Sequence, residues 1–191
     1  MQEQLGDDLT EFIRHFLMKD GKVVKQDEVY LALKAHADNK SQEEIQEYLD
    51  EINAFADYYA RLLRPEEEPD IKLRERMTRL NRIEVTVAYP FLLNVYDDYA
   101  NQRITGEEFA DVMEVVENFM IRRFVCAVPT NQLNKIFPFL YDQAASELSL
   151  SEDVREALRT KNYPRDAEFR ERFISSRIYG SGDRAAKRPR Q

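Results

Sequence analysis

Residues 121–137, which read IRRFVCAVPTNQLNKIF, decide the fold that we expect for this chain. The stretch begins as an amphipathic helix that carries Arg122 and Arg123. Proline has no N–H to donate, and it disfavours a helical conformation in the residue before it. Pro129 therefore predicts that this helix ends close to Ala127.

A second apolar helix is predicted directly after Pro129. Thr130 can accept hydrogen bonds from the free N–H groups of its first turn. Its inward face would consist of Leu133, Ile136 and Phe137. Pro138 either kinks this helix or starts a new one, so the stretch predicts a helix, a sharp turn and another helix.

Composition favours one ordered helical domain. Hydrophobic residues make up 43% of the 191 positions, charged residues make up 34%, and there are five glycines. This balance is typical of an ordered protein, and the length is enough for one hydrophobic core. The formal net charge of −8 argues against nucleic-acid binding over the whole surface, although a local basic patch remains compatible with it.

The sequence has few residues that could bind a metal or act as a nucleophile. Cys126 is the single cysteine, and its apolar neighbours favour a small buried residue over a reactive thiol. His15 and His36 fall on different predicted helices, and neither has a carboxylate or cysteine at zinc-ligand spacing on the same face. The scattered glycines provide no phosphate-binding loop. We therefore expect no metal, no cofactor and no catalytic residue.

The expected location is the cytoplasm. One cysteine cannot form an internal disulfide, and no charged and apolar leader opens the sequence. The apolar runs are far shorter than the roughly 20 residues that cross a bilayer. We expect a soluble protein without a membrane partner.

Helical periodicity is clear in the first third of the chain. Asp7 or Asp8 can cap a first helix, and residues 27–37 form a second predicted helix. Ser41 followed by Glu44 is the signature of a capping box. It opens a long predicted helix whose apolar stripe comprises Ile45, Tyr48, Leu49, Ile52, Phe55, Tyr59, Leu62 and Leu63.

The middle of the chain is less regular. Two prolines and an acidic run predict a solvated linker at 64–70, and residues 71–80 again follow the helical period. The β-branched residues of 83–87 alternate as in a strand. Helical spacing returns at Phe91, however, so we predict a helix that is kinked at Pro90.

Further capping signals divide the second half. Thr105 with Glu108 predicts another capping box, and Ser149 with Glu152 can cap a short helix. A turn at 163–166 then leads into a last helix. The expected fold is all-α, with about eight or nine helices in an orthogonal array that forms one domain at 1–179. Residues 180–191 contain glycines and basic residues without apolar periodicity, and they predict a flexible basic tail.

Three stretches together resemble a known family. They read RLNRIEVTVAYPFLLNVYD at 79–97, FMIRRFVCAVPTNQLNKIF at 119–137 and YPRDAEFRERF at 163–173. Their order resembles the helical middle region of GmrSD-like modification-dependent restriction endonucleases, over roughly residues 9–180. In that family a ParB-like nucleotide-hydrolysing domain precedes this region, and an HNH-type nuclease domain usually follows it.

Neither catalytic domain of that family is expected in this chain. An HNH site needs histidines late in the chain, and none follows His36. The ParB-like nucleotide site carries an Asp-Gly-Gln-Gln-Arg type of motif, of which residues 101–103 match only the end. The resemblance therefore implies a non-catalytic connector in a defence system against foreign modified DNA. Its implied partners are nucleotidase and nuclease domains, either flanking or separate.

The double arginine is the main candidate for a functional contact. About 100° separates neighbouring residues on a helix, so Arg122 and Arg123 cannot both enter the same apolar core. One can pair with an acid such as Glu117, while the other can reach Asn131 or Asn134 across the turn.

A structural role is favoured for this basic and amide-rich group, and direct contact with phosphate or DNA is the alternative. Basic residues of the predicted tail are a second candidate for nonspecific DNA contact. The candidate site comprises Arg122, Arg123, Asn131, Asn134 and Lys135.

A free-standing helical module that binds a protein partner or regulates it is the competing functional hypothesis. Exposed apolar surface discriminates between the two, because a region that docks neighbouring domains should show such a patch when it is isolated from them. The residue inventory disfavours a third class, an unrecognised enzyme.

The DNA hypothesis predicts the effect of replacing Arg122 and Arg123 with alanine. Loss of phosphate contacts should weaken binding to duplex DNA and reduce the log–log salt slope by roughly one unit per contact. Fluorescence anisotropy over a salt series measures both quantities, and circular dichroism checks that the fold survives. Binding that is unchanged and independent of salt would exclude these arginines as DNA contacts.

Overall fold

The computed structural model describes residues 5–38, 40–144 and 149–175, and within these ranges the chain forms nine α-helices and no strand. The predicted all-α fold is confirmed, whereas the predicted tail at 180–191 lies outside the described residues. The helices are α1 (Leu9–Met18), α2 (Val29–Ala37), α3 (Gln42–Leu63), α4 (Ile71–Arg82), α5 (Tyr89–Ala100), α6 (Gly106–Val125), α7 (Phe137–Gln143), α8 (Leu150–Arg159) and α9 (Asp166–Ser175).

Helix α6 is the centre of the fold because it packs against α4, α5, α8 and α9. Its side chains at helical spacing, Phe109, Val112, Val116 and Phe119, are fully buried. Burial of each such side chain contributes about 1.5–3 kcal/mol, so the inward face of α6 is a main source of stability.

An aromatic cluster joins the N-terminal helices to this core. Phe12 and Phe16 of α1 pack against α3, with ring centroids 5.3 Å from Tyr59 and 5.4 Å from Phe55, respectively. Tyr59 in turn meets Tyr89 of α5 edge-on at 5.3 Å. The buried side chains of both halves belong to one continuous cluster.

The apolar stripe predicted for α3 is buried along only part of the helix. Ile52, Phe55 and Tyr59 are buried as predicted, whereas Ile45 and Leu49 are 37% and 45% exposed. The prediction of burial is therefore wrong for the first turns of α3. Periodicity identified the apolar face correctly, but it contains no information about where the neighbouring helices end.

The capping box of α3 is confirmed. The backbone N–H of Glu44 donates to Ser41 Oγ at 3.2 Å, and the backbone N–H of Ser41 donates to Glu44 Oε2 at 2.7 Å. The expected cap of α1 is wrong, because Asp8 stands at the N-cap without a side-chain hydrogen bond. A 3₁₀ turn at Gly6–Asp8 leads into that helix instead.

The predicted box at Thr105 is half right. Thr105 Oγ1 accepts the N–H of Glu108 at 3.1 Å and caps α6. The second bond of a capping box, from the Thr105 N–H to the Glu108 carboxylate, is not formed. Glu108 Oε1 instead accepts the N–H of Leu150 at 2.8 Å. Ser149, the predicted cap of α8, makes no capping bond. Glu108 of α6 thus supplies an acceptor for a backbone N–H in the first turn of α8.

Proline starts helices in this fold. Pro90 and Pro138 lie in the first turns of α5 and α7. A backbone N–H in the first turn has no acceptor within the helix, so proline breaks no helical hydrogen bond there. The predicted kink at Pro90 is therefore wrong, since a 3₁₀ turn at Thr86–Ala88 separates α4 from α5. The strand-like alternation at 83–87 belongs to this connection.

The acidic linker at 64–70 is anchored to the core. Glu68 is 0% exposed, so the prediction of a solvated linker is wrong there. Its carboxylate accepts hydrogen bonds from the hydroxyl of Tyr96 and, at 3.0 Å, from the N–H of Asp70. A guanidinium nitrogen of Arg61 lies 4.0 Å away. These partners offset the cost of burying the charge.

His15 is a packing residue of α1 and is 2% exposed. Its Nδ1 lies 3.2 Å from the Tyr59 hydroxyl, and its Nε2 lies 3.3 Å from Glu11 Oε1 and 3.3 Å from Arg14 Nη2. Burial disfavours the charged imidazolium and lowers the pKa of His15 from 6.5 to about 4, against the smaller opposing effect of Glu11.

We predict that His15 makes the protein less stable as the pH falls from 6.5 to 4. Because the folded pKa of about 4 lies below the unfolded value of 6.5, the unfolded chain takes up the proton first. The shift corresponds to about 3 kcal/mol in the free energy of unfolding, which is lost as the pH falls from 6.5 to 4. Below this range the contribution of His15 no longer changes with pH.

Urea unfolding of the wild type and of His15→Gln over this pH range measures the effect. The difference between their free energies of unfolding should change with pH. His36→Gln is the matched control, since His36 is half-buried and should contribute much less. Parallel curves for wild type and His15→Gln would contradict the prediction.

Candidate functional site at the helix corner

The corner after α6 is more extended than the sequence predicted. Residues 126–132 form no helix, a 3₁₀ turn follows at Leu133–Lys135, and α7 begins at Phe137. The prediction that Thr130 caps a helix directly after Pro129 is wrong, because the Thr130 carbonyl instead accepts the N–H of Leu133 at 3.0 Å. The predicted inward residues are nevertheless buried: Leu133, Ile136 and Phe137.

Helix α6 ends in a left-handed turn at Ala127, which has a φ of 55°. The N–H of Ala127 donates to Phe124 O at 3.2 Å, and the N–H of Val128 donates to Arg123 O at 2.9 Å. These two bonds define a Schellman motif, in which glycine usually occupies the left-handed position. Alanine in this conformation is strained.

Helix α4 ends nearby in a similar way. Glu84 has a φ of 54°, and its N–H donates to Asn81 O at 3.1 Å. Glu84 and Ala127 both line one groove of about 840 Å³, which lies where the C-terminal ends of α4 and α6 meet. Strained non-glycine residues cluster at functional sites more often than elsewhere, which marks this groove as the candidate site.

The groove is largely apolar. Two of its lining side chains are well exposed, Ile83 at 39% and Phe124 at 59%. Further apolar lining comes from Val87, Met120, Val128 and Leu133. Its volume falls within the range of about 300–1,000 Å³ that is typical of ligand pockets.

Arg123 forms part of the groove wall but is 2% exposed. Its Nη1 donates to Lys161 O at 2.9 Å, its Nη2 donates to Pro129 O at 2.6 Å, and its guanidinium lies 5.1 Å from the ring centroid of Phe119. Burial lowers the pKa of Arg123. Its Nε is buried without a hydrogen-bond partner in the part of the chain that the structure describes.

Arg122 points to a different neighbour. Its Nε donates to Asn118 Oδ1 at 2.7 Å, its Nη1 donates to Pro164 O at 3.1 Å, and its Nη2 pairs with Asp166 at 2.6 Å. The guanidinium also lies 4.9 Å from the ring centroid of Phe169. Arg122 thereby fastens α9 to α6.

The structure therefore separates the residues that the sequence grouped together. Arg122 and Arg123 hold internal partners, and Glu117 pairs with Arg79 of α4 at 2.9 Å instead of with either of them. Asn134 lines the groove. Asn131, Asn134 and Lys135 are exposed on the turn. Contact of this group with DNA stays a prediction.

Sequence reasoning missed one side of the groove. Ile83 and Glu84 lie some 40 positions before the corner, and no local pattern links the two segments. A glycine at position 84 or 127 would have signalled a left-handed helix end, but glutamate and alanine give no such signal. The indirect signal was the expectation that both segments belong to stretches that resemble one family.

Other chemistry finds little support in the described residues. No group of three or more histidine, cysteine, aspartate or glutamate side chains there could hold a metal ion. Cys126 is a buried free thiol, as predicted. Among the described helices, none is long and apolar enough to cross a membrane.

Comparisons with models of protein families, with curated proteins and with solved structures find no match for this chain. The geometry of the groove is therefore the observation on which a functional proposal can rest.

Replacing Ala127 with glycine should stabilise the protein. Glycine removes a left-handed strain of roughly 1–2 kcal/mol, and its greater freedom in the unfolded chain costs roughly 0.4–1 kcal/mol. The expected net gain is roughly 0.5–1 kcal/mol in urea unfolding. Ala35→Gly in the exposed middle of α2 is the control and should cost about 1 kcal/mol. A loss of stability in both variants would contradict the strain at Ala127.

Proposed function

We propose that this chain is a non-catalytic helical connector of a GmrSD-like restriction system. In this role it docks a nucleotide-hydrolysing domain to a nuclease domain and couples the two by passing on conformational change. The corner groove is the docking surface for a segment of one of these domains.

The observation that carries the proposal is the convergence of the three resembling stretches. Every residue that lines the groove belongs to 79–97 or to 119–137. The third stretch, 163–173, is bound to the second through Arg122, which contacts Pro164 and Asp166. Segments far apart in the chain thus form one surface, which supports a shared role for them.

The chemistry of the groove favours a protein segment over a phosphate backbone. Its wall is mostly apolar, and Arg123 is enclosed by internal partners. The other charged residues of the lining, Arg82 and Glu84, are exposed and carry opposite charges. A phosphate there would lose hydration against the apolar wall, and Glu84 would oppose its attraction to Arg82. An apolar side chain from a docked domain would bury Ile83 and Phe124 and gain about 25 cal/mol per Å² of apolar area.

A free-standing protein-binding module is the second candidate. Its binding surface would have the same exposed apolar lining, so this lining alone does not separate the two candidates. The two candidates differ in the identity of the partner. The connector binds a nucleotidase or nuclease domain, whereas a regulatory module binds a protein that has neither.

The first experiment measures the size of the native protein in its source cells with an antibody raised against this chain. A band several-fold larger than 22.6 kDa, with nuclease or nucleotidase peptides identified by mass spectrometry, would support the connector. A band at 22.6 kDa makes any partner a separate protein, and photo-crosslinking then identifies it.

Crosslinking uses a matched pair of isoleucines at opposite ends of α4. Ile83 lines the groove, whereas Ile71 is 68% exposed and lies roughly 16 Å from Arg82 along the helix. A benzophenone amino acid at position 83 should crosslink to a nuclease or nucleotidase domain, and one at position 71 should not. A partner without either domain would favour the regulatory module, and equal crosslinking from both positions would overturn groove docking.

A further inference from the structure

Helix α9 buries none of its ten side chains fully. Nine of them are exposed, and Phe169 is half-buried. The helix packs on α6, where Arg122 contacts Pro164, Asp166 and Phe169. A helix of only ten residues is marginal in water unless other parts of a protein cover its apolar side. The outer side of α9 is therefore a second candidate interaction surface.

Apolar side chains lie on this outer side. Phe173 is 56% exposed and Ile174 is 78% exposed. At 100° per residue, Ala167, Phe173 and Ile174 fall within an arc of about 120° around the helix. We call Phe173 and Ile174 the α9 pair. Two large apolar side chains at the end of an amphipathic helix are typical anchors for a hydrophobic groove.

The corner groove lies on the opposite side of α6 from α9. Met120 and Phe124 line the groove, and at 100° per residue they lie about 160° and 200° around α6 from Arg122, which holds α9. None of the residues 166–175 lines the groove. The α9 pair therefore does not fill the groove of its own chain, whereas the α9 pair of a second copy can approach it from outside.

The charges beside the two surfaces are complementary. Exposed Arg82 and Glu84 line the groove. On α9, the exposed Arg170 and Glu171 lie one turn before Ile174. None of these four charged side chains has an ion-pair partner in the part of the chain that the structure describes. Each surface thus has one charge of each sign, so a second copy can pair them and meets no local excess of like charge.

We propose that the α9 pair of one copy of this chain inserts into the corner groove of a second copy. Phe173 and Ile174 cover the exposed Ile83 and Phe124, and the charges beside the pair meet those of opposite sign at the groove. The contact joins two different surfaces and is therefore heterologous. A dimer keeps one unoccupied groove and one uncovered α9 pair, so further copies can add to it.

Self-association and domain docking compete for the same groove in this arrangement. A docked nucleotidase or nuclease segment would displace the α9 pair of the second copy. The inference goes beyond the proposed function, because the contact between copies needs only the purified chain and no docked domain. Failure of self-association and failure of domain docking are therefore separate results.

Analytical ultracentrifugation of the purified full chain measures the association, which should produce larger species as the concentration rises. Phe173→Ser with Ile174→Ser removes the α9 pair, and Ile83→Ser with Phe124→Ser removes the groove wall. Each double variant should weaken association at least about tenfold, since each loses more than one buried apolar side chain. Tyr30→Ser is the control, because Tyr30 is 73% exposed outside both surfaces, and it should associate like the wild type.

A mixture of the two double variants tests the heterologous contact itself. The α9 variant keeps its groove and the groove variant keeps its α9 pair, so one intact contact remains between them. Equal amounts should form a dimer of one copy each, with the affinity of the wild-type contact and no larger species. Contacts between two like surfaces, or nonspecific apolar aggregation, would not give a dimer that stops at two copies. Circular dichroism checks that both variants are folded.

Crosslinking makes the test independent of the folding of these variants. A benzophenone amino acid at position 83 should crosslink to α9 of another copy, and one at position 71 should not. Mass spectrometry of mixed isotope-labelled and unlabelled chains identifies the crosslink as intermolecular. A crosslink from position 83 to residues 176–191 of the same chain would make that segment the occupant and overturn the proposal. A variant mixture that stays monomeric, or a wild type that is monomeric up to about 1 mM, would overturn it as well.

Discussion

The arrangement of the C-terminal half depends on the hydrogen bonds of the buried Arg123 guanidinium. It joins three segments of the chain. The side chain belongs to α6, and its guanidinium donates hydrogen bonds to the carbonyl of Pro129 in the corner and to that of Lys161 in the connection between α8 and α9. Each charge-assisted hydrogen bond to a carbonyl contributes about 1.5–3 kcal/mol. The ring of Phe119 stabilises the cation from below, 5.1 Å away. The position of the groove wall follows from these bonds.

Helix ends set the shape of the groove, and they are unusual in lacking glycine. Three helices are followed by a non-glycine residue that has a positive φ: Glu84, Gln102 and Ala127. The N–H of each residue donates a hydrogen bond to a carbonyl of the preceding helix. A left-handed alanine or glutamate is held there by the surrounding contacts rather than by its own preference. Glu84 and Ala127 meet at the groove, whereas Gln102 and Asn162, the other described non-glycine residues with positive φ, do not line it.

Local sequence signals predicted the helices correctly, and the errors arose where long-range contacts decide the structure. Ser41 and Glu44 are three residues apart, so their capping box can be read directly from the sequence. Glu108 has the same spacing from Thr105, but its carboxylate caps α8 more than 40 positions away. Burial of Glu68 depends likewise on Tyr96, which no local pattern connects to it. The apolar stripe of α3 was identified by its helical period. Which part of the stripe is exposed depends instead on where the neighbouring helices α1 and α2 end.

Long-range contacts also hold α4 against α6. Glu117 of α6 is 7% exposed and binds Arg79 of α4 at 2.9 Å, with Arg76 of α4 at 3.8 Å. These ion pairs, together with the apolar contact between the two helices, resist sliding of α4 along α6. Both walls of the groove therefore belong to one packed pair of helices. A segment docked there would be held in a fixed orientation, and a movement of that segment would displace α4 and α6 together instead of being absorbed between them.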